Sequence, residues 1–350
     1  MMSVPVTAYA ADTHSPYKTC EIIMVGDDLI HQPLYKAAYK NNIYDFSAQF
    51  ANIPEIKTSD IAIINQETIL VDDYNQISSY PCFGTPVSIA GNIVSAGFDV
   101  VCHATNHTYD KGYAGIESTL KCWREHYPQT TVLGIHTDAS QTDYSICVHD
   151  GLKIGFVNYT YGLNGITRTK DYSVDLLSDP DIDNTMTECC NKSDIQIAIL
   201  HVGEEYRYTP TEYQKQQVNR FIDLGADVVI CAHPHVVEPY QMVTTPDGNT
   251  GLVYYSLGNF ISGQTEIDRC LGGMARFIIK YDNDDSGNIV ADVAEYTFEP
   301  LFTHQQSGYY TTFKLSDYTD EQFKKHKLYG KSSCTSVTDI QNLWNSIVSN

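Results

Sequence analysis

The chain has 350 residues, with 22 Lys plus Arg against 43 Asp plus Glu and a formal charge of −21. That balance excludes nucleic acid as the main partner, because binding a phosphate backbone rests on clustered Lys and Arg. With 42% hydrophobic and 19% charged residues the composition is that of a folded chain with one large core or two modest ones, and no apolar run approaches the roughly 18 residues of a membrane-spanning helix.

From the N-terminus, Val4 to Ala10 ends in the A-x-A pattern of a signal-peptidase site. Residues 1–20 are therefore expected as a leader remnant and N-terminal tail of an exported, extracytoplasmic protein, although an ordinary frayed terminus reads the same way. Compact apolar runs at Glu21 to Val25, Ile61 to Asn65, Asp99 to His103, Ile195 to His201 and Val228 to His233 predict strands buried on both faces. Helices are predicted between them, including Gly115 to Tyr127 and Thr209 to Ala226, the second read with Thr209 as cap, Pro210 at N1 and Glu212 at N3. This alternation is the signature of an α/β layered fold.

Asp-Gly turns at Asp150-Gly151 and Asp247-Gly248 predict two hairpins, and a third is predicted from Met274 to Tyr281 and Ile289 to Phe298, so the sheet is expected to be mixed. From His304 onward the chain becomes polar and Tyr-rich with one helix near Thr338 to Val348, so 21–304 is taken as the domain and 305–350 as an appended segment. Ten Cys with no CxxC exclude a zinc ribbon, Cys102 and Cys231 read as buried hydrophobes, and the number of disulfides stays open.

Polar ligand-type residues recur where the apolar strands end. The first runs into Gly26-Asp27, the second into Asn65-Gln66-Glu67, the third into Asn106-His107, the fourth into His201 and the fifth into His233-Pro234-His235. In open α/β sheets the carboxyl ends of the strands line the ligand crevice. One such residue is weak evidence, since a single buried His is more often a hydrogen-bonded core residue. Five strands delivering Asp, Glu, Asn and His to one edge predict a metal site, with a donor set suited to Mn, Fe, Zn or Mg. Two such ions about 3.5 to 4 Å apart would clamp an in-line displacement, with Glu67 as the bridging carboxylate.

Gly26-Asp27, Asn65-Gln66-Glu67-Thr68, Asn106-His107 through Asp110-Lys111-Gly112, His201 through Tyr206, Cys231 through Val237 and Tyr255 through Phe260 resemble, in order and spacing, the CapA family of capsule synthesis proteins. That family includes the PgsA-like proteins of poly-γ-glutamate biosynthesis and looks like a branch of the calcineurin-like metallophosphoesterases. The resemblance covers about Glu21 to Leu301. It implies an α/β/β/α sandwich with mixed sheets and two divalent metal ions held by Asp27, Glu67, Asn106, His201, His233 and His235. It also implies His107 as the acid that protonates a leaving group. Asp110 either fixes the His107 tautomer or caps the following turn. Glu204 and Asn259 are further candidates for the crevice, and Tyr206 is either a crevice residue or structural.

One departure stands out. Where calcineurin-like enzymes carry Asp-x-His, this chain has Asp27-Asp28-Leu29, leaving His31 either as a substitute ligand or as a helix cap. Asn106-His107-Thr108 also fits a glycosylation sequon, which a site at that position excludes. Three functions follow: an exported capsule or poly-γ-glutamate protein with a hydrolytic metal centre, a non-catalytic subunit of a membrane-bound polymer synthase and export complex, or a free-standing phosphodiesterase. A chain of −21 repels polyanions beyond a Debye length of about 8 to 10 Å, which favours action on a polymer end, a linkage or a small phosphoester over a grip along the polymer.

Overall fold

A computed structural model describes residues 17–349; the A-x-A pattern lies outside them. The first part of the chain runs β1 (Lys18–Leu29), α1 (Gln32–Ala38), β2 (Ile61–Gln66), α2 (Ile89–Ala96), β3 (Val100–Cys102), α3 (Gly112–His126) and β4 (Thr131–Leu133). Next come β5 (Tyr144–His149), β6 (Leu152–Thr160), α4 (Ile182–Lys192), β7 (Ile195–His201), α5 (Glu212–Asp223) and β8 (Val228–Ala232). The chain finishes with β9 (Tyr240–Thr244), β10 (Thr250–Tyr254), β11 (Asn259–Ser262), β12 (Leu271–Asn283), β13 (Ile289–Gln306), β14 (Tyr309–Lys314) and α6 (Val337–Val348).

Two mixed sheets result. The first has the order β14-β13-β12-β1-β2-β3-β4, with β11 also paired to β1, and the second has the order β9-β10-β8-β7-β6-β5. Parallel pairing joins β1 through β4 and also joins β6, β7, β8 and β10. The predicted hairpins supply the antiparallel edges.

Successive side chains of a strand point to opposite faces, and here both faces are apolar. Ile22 and Met24 of β1, Ile63 of β2, Phe156 of β6, Ile197 and Ile199 of β7 and Ile230 of β8 share one cluster between the sheets. Their neighbours Ile23, Val25 and Ile64 pack under Leu34, Ile93 and Trp123 of α1, α2 and α3. On the other side Val157, Leu200 and Val229 pack under Met186 of α4 and Phe221 of α5. The molecule is thus an α/β/β/α sandwich, the layering the sequence implies.

Two expectations need correction. Helix α5 is capped by Thr211, not Thr209: the Thr211 hydroxyl accepts from the Gln214 N–H, and the Gln214 side chain returns to the Thr211 N–H. That reciprocal pair satisfies two orphan donors at once, and it places the Gln214 amide to donate to Glu238 and to the Tyr255 carbonyl. The segment from 305 onward is no appendage. Strand β14 extends the first sheet beside β13, and Ile340, Trp344 and Ile347 of α6 belong to the core between the sheets. The Trp344 ring lies 4.7 Å from that of Phe298. Trp344→Ala is therefore expected to lower stability by about 3 to 5 kcal/mol in urea denaturation; a loss below about 0.5 kcal/mol, the usual limit for surface positions, would return α6 to the periphery. All ten cysteines are free thiols.

Candidate metal centre

The carboxyl ends of β1, β2, β7 and β8 and the loop after β3 meet at one edge of the sandwich. A register shift between Val25 and Asp27 re-aims the end of β1. Gly26 is required there, because a Cβ would sit 1.9 Å from the Gly258 carbonyl oxygen while the Asp27 N–H donates to that same oxygen at 3.0 Å. Asp27 thereby enters a fully buried position. Its Oδ1 accepts from Asn65 Nδ2 at 2.7 Å, and its Oδ2 lies 3.2 Å from His235 Nδ1 and 3.3 Å from the His233 N–H.

Glu67 is the hub. Its Oε1 stands 3.7 Å from His235 Nε2 and 3.9 Å from His201 Nε2, and His201 Nε2 lies 2.9 Å from Asn106 Oδ1. The ring of His233 stands 5.0 Å from that of His201 and 5.9 Å from that of His235. His233 and His235 hold φ values of 105° and 59°, left-handed backbone that non-glycine residues adopt at a cost of order 1 to 3 kcal/mol each and that clusters at functional sites.

The structure brings Asp27, Glu67, Asn106, His201, His233 and His235 together. Both oxygens of Glu67, Asn65 Oδ1 and His233 Nδ1 are buried without a hydrogen-bond partner. Buried polar atoms are normally partnered, and a carboxylate left alone is expensive; a divalent cation is the partner this donor set fits. Burial, reinforced by neighbouring histidines, holds His201 well below the ordinary imidazole range and His233 at about 3. Both are neutral and present lone pairs. Burial also drives Glu67 up, and although burial pulls His235 down, the Glu67 and Asp27 carboxylates outweigh it and raise it to about 9. Together the pair retains proton charge that a metal cation would displace.

His107 stands beside this cluster. Its Nδ1 lies 2.7 Å from Asp110 Oδ2, which also accepts the Phe83 N–H at 2.6 Å. Asp110 therefore holds the imidazole, and it makes no cap for α3, whose N-cap position is taken by Lys111 with no side-chain cap bond. Phe83 meets His107 edge-on at 4.7 Å and His31 at 5.2 Å, so it separates the two imidazoles. His31 Nδ1 sits 3.1 Å from the Leu29 carbonyl and takes the Gly263 N–H at 3.2 Å, and Leu29 is buried. His31 is a helix-entry residue here, leaving Asp27 without an imidazole from its own strand.

Glu204 does not enter the cluster. Its side chain is 64% exposed and pairs with Arg207 at 3.0 Å. The adjacent Glu205, also exposed, does reach the rim of the cluster, with a carboxylate oxygen within 4.8 Å of ligand nitrogens of His233 and His235. The sequence offers Glu204-Glu205 without choosing between them; the choice is made by bends at Gly203 (φ 140°) and Tyr206 (φ 64°). Asn259 is at the crevice, with Oδ1 3.1 Å from His235 Nδ1. Asn164 was not foreseen at all. Its Oδ1 accepts from Asn106 Nδ2 at 3.2 Å, which turns the Asn106 oxygen toward His201 in the way outer partners orient metal ligands. Its only sequence signal is a Gly162-Leu163-Asn164-Gly165 turn. Asn106 is 2% exposed, so the sequon is closed to a glycan. Tyr161 lies against His233 at 4.7 Å and Tyr206 against His235 at 6.1 Å, and both are part-exposed at the rim.

The sequence profile described as bacterial capsule synthesis protein PGA_cap matches residues 21–264. A capsule biosynthesis protein CapA from Bacillus anthracis is 25% identical over 302 residues, 82% of this chain and 69% of that protein. A PGA biosynthesis protein CapA from Bacillus subtilis strain 168 is 30% identical over 169 residues, 48% of this chain and 43% of its own length. Among solved structures, a Staphylococcus aureus protein assigned as a 5′-nucleotidase and determined with alpha-ketoglutarate superposes with a TM-score of 0.46 at 16% identity, over 80% of this chain and 54% of the other.

Proposed function

The chain belongs to the bacterial capsule synthesis protein family, and from that premise we propose that it carries a binuclear divalent-metal centre hydrolysing a phosphoester or amide linkage in the formation of a capsule polymer such as poly-γ-glutamate. The observation that carries the reading is the unpartnered Glu67 carboxylate, buried between His201 and His235. Asp27, Glu67 and His235 would hold one ion, and Glu67, Asn106, His201 and His233 the other. When bound, the ions supply a Lewis acid and a nucleophile at neutral pH.

The protein's own residues do the rest. Neutral His201 and His233 offer lone pairs without first losing a proton. Asp110 fixes Nδ1 of His107 as the protonated nitrogen, so Nε2 is the atom that exchanges a proton with the leaving group. Phe83 shields that dyad from water on one side. The first position, lacking an imidazole from β1, is the weaker of the two. The extracytoplasmic location and membrane-bound synthase or export partners belong to the same proposal, supported by the A-x-A pattern and the family.

The test is turnover of bis(p-nitrophenyl) phosphate and γ-glutamyl p-nitroanilide by manganese-loaded protein against chelated protein. Metal-dependent release of nitrophenol or nitroaniline supports hydrolysis. No turnover of these or of related phosphodiesters and γ-glutamyl amides by fully loaded protein overturns it in favour of a non-catalytic subunit.

A further inference from the structure

Arg269 lies in a short helical turn, residues 267–270, just outside the ligand cluster and bound to it from two directions. Its backbone carbonyl accepts from Asn259 Nδ2 at 2.9 Å, while the same Asn259 presents Oδ1 to His235 Nδ1 at 3.1 Å. Its guanidinium carbon lies 3.6 Å from the centroid of the Tyr206 ring, and that ring stands 6.1 Å from His235 at an interplanar angle of 34°. Tyr206 is itself fixed. Its N–H donates to the Pro234 carbonyl at 2.8 Å, and its hydroxyl accepts from Gln264 Nε2 at 3.2 Å, with Gln264 Oε1 in turn accepting from Asn259 Nδ2 at 2.9 Å. Arg269, Tyr206, Gln264, Asn259 and His235 thus form one connected wall.

The guanidinium is under-used in this position. Nη1 pairs at 3.2 Å with Glu266, a half-exposed residue one turn back, the kind of surface pair worth about 0 to 1 kcal/mol. Nε is buried with no hydrogen-bond partner, an arrangement that costs free energy until an acceptor arrives. A quarter of the side chain remains accessible. Stacking on an aromatic face pre-orients the planar fork, which matches carboxylate and phosphate oxygens in pairs. The neighbourhood is otherwise acidic: Asp27 and Glu67 are buried in the cluster, Glu205 is exposed at its rim, and the chain carries −21 overall. An anionic substrate therefore gains from a cation at the rim beside the ligand cluster, where Arg269 lies on Tyr206.

We propose that Arg269, laid on Tyr206, is an anion subsite that takes a carboxylate or phosphate carried by the substrate next to the linkage that reacts. This deepens the hydrolytic reading and rests on it for the identity of the neighbouring centre. The substrate class it selects is one with two polar groups in succession, the reacting linkage on the metal cluster and a second, permanently anionic group on Arg269. A unit at the end of an anionic polymer meets that description, and so does a small phosphorylated precursor.

Manganese-loaded and metal-free protein are each titrated calorimetrically with phenylphosphonate, glutarate and the neutral glutaramide, in the wild type, Arg269→Gln and Arg269→Lys. The wild type is expected to bind at least one anion and Arg269→Gln to bind it about tenfold more weakly. Arg269→Lys is expected between them, because a single ammonium lacks the fork. Glutaramide binding, metal content and melting temperature stay at wild-type values. A loss confined to glutarate identifies a carboxylate-bearing unit, and a loss confined to phenylphosphonate a phosphate-bearing one. Equal anion binding by the wild type and Arg269→Gln, or no anion binding by the wild type in either form, overturns the subsite. Failure of the hydrolytic reading appears separately, as absence of metal from the loaded wild type or absence of turnover by it, and the Arg269 contrast is still read in the metal-free titrations.

Discussion

Glu67→Gln is expected to lose metal, and its effect on the stability of the metal-free protein is expected to change sign with pH. The carboxylate is buried with both oxygens unpartnered, so above about pH 9, where His235 is neutral, a neutral isostere relieves part of the cost of burying a charge, whereas below it the same change removes the charge that holds His235 protonated and lowers stability. The same change removes the atom shared between His201 and His235. Since partners of metal ligands alone are worth about 10- to 100-fold in metal affinity, loss of this ligand is expected to weaken binding by about 100-fold or more.

The pH dependence follows with its sign. His235 is held at about 9 in the metal-free fold against an ordinary 6.5. A raised imidazole contributes stability that is complete below the unfolded value and is lost as pH rises through the folded one. The melting temperature of metal-free protein should therefore fall between pH 6.5 and about 9. In Glu67→Gln that fall should shrink, because Glu67 is the largest of the charges that raise His235. Thermal melts with and without chelator, alongside metal content, check both statements. A variant that holds metal like the wild type, and whose metal-free melting temperature falls with pH as steeply as that of the wild type, would refute the assignment.

His107→Ala is expected to keep its metal and lose turnover by about 10²- to 10⁴-fold, the range for a positioned proton donor. The loss should depend on the leaving group. For p-nitrophenolate, which departs without help, it should be small; for an alkoxide or amine, which must be protonated as it leaves, it should be full. Asp110 makes its own bond to the Phe83 N–H, so it stays in place when the imidazole is removed and the variant reports proton transfer rather than collapse of the loop. A uniform loss across leaving groups would assign His107 to positioning instead.

What was legible in the sequence was whatever local pattern decides. The strands are apolar on both faces, so Ile22 to Val25 or Ile197 to Leu200 can only be buried between layers, and polar residues at their ends must face the crevice. Asp27, Glu67, Asn106, His201, His233 and His235 are brought to one edge in this way. The missed features depend on contacts between distant segments. Glu204 and Glu205 are chemically identical, and only the backbone bends on either side decide which one reaches His233 and His235. Asn164 gains its role from a loop 58 residues beyond Asn106. The cap of α5 moved to Thr211 because Gln214 closes a reciprocal pair there, a pairing hidden beneath the stronger Pro210 signal. The C-terminal segment looked detached because it is polar overall, yet three apolar side chains at helical spacing, Ile340, Trp344 and Ile347, are enough to seat α6 against the core.

The central claim is that the buried Asp, Glu, Asn and His cluster exists to hold divalent metal. Metal stoichiometry by inductively coupled plasma mass spectrometry, on protein purified without chelator and again after manganese loading, tests it directly. Two ions per chain are predicted after loading, with the one at Asp27 the first to be lost on dilution. No bound ion even after loading would contradict the claim, leaving Glu67 as a buried acid without a partner and the hydrolytic proposal without its centre.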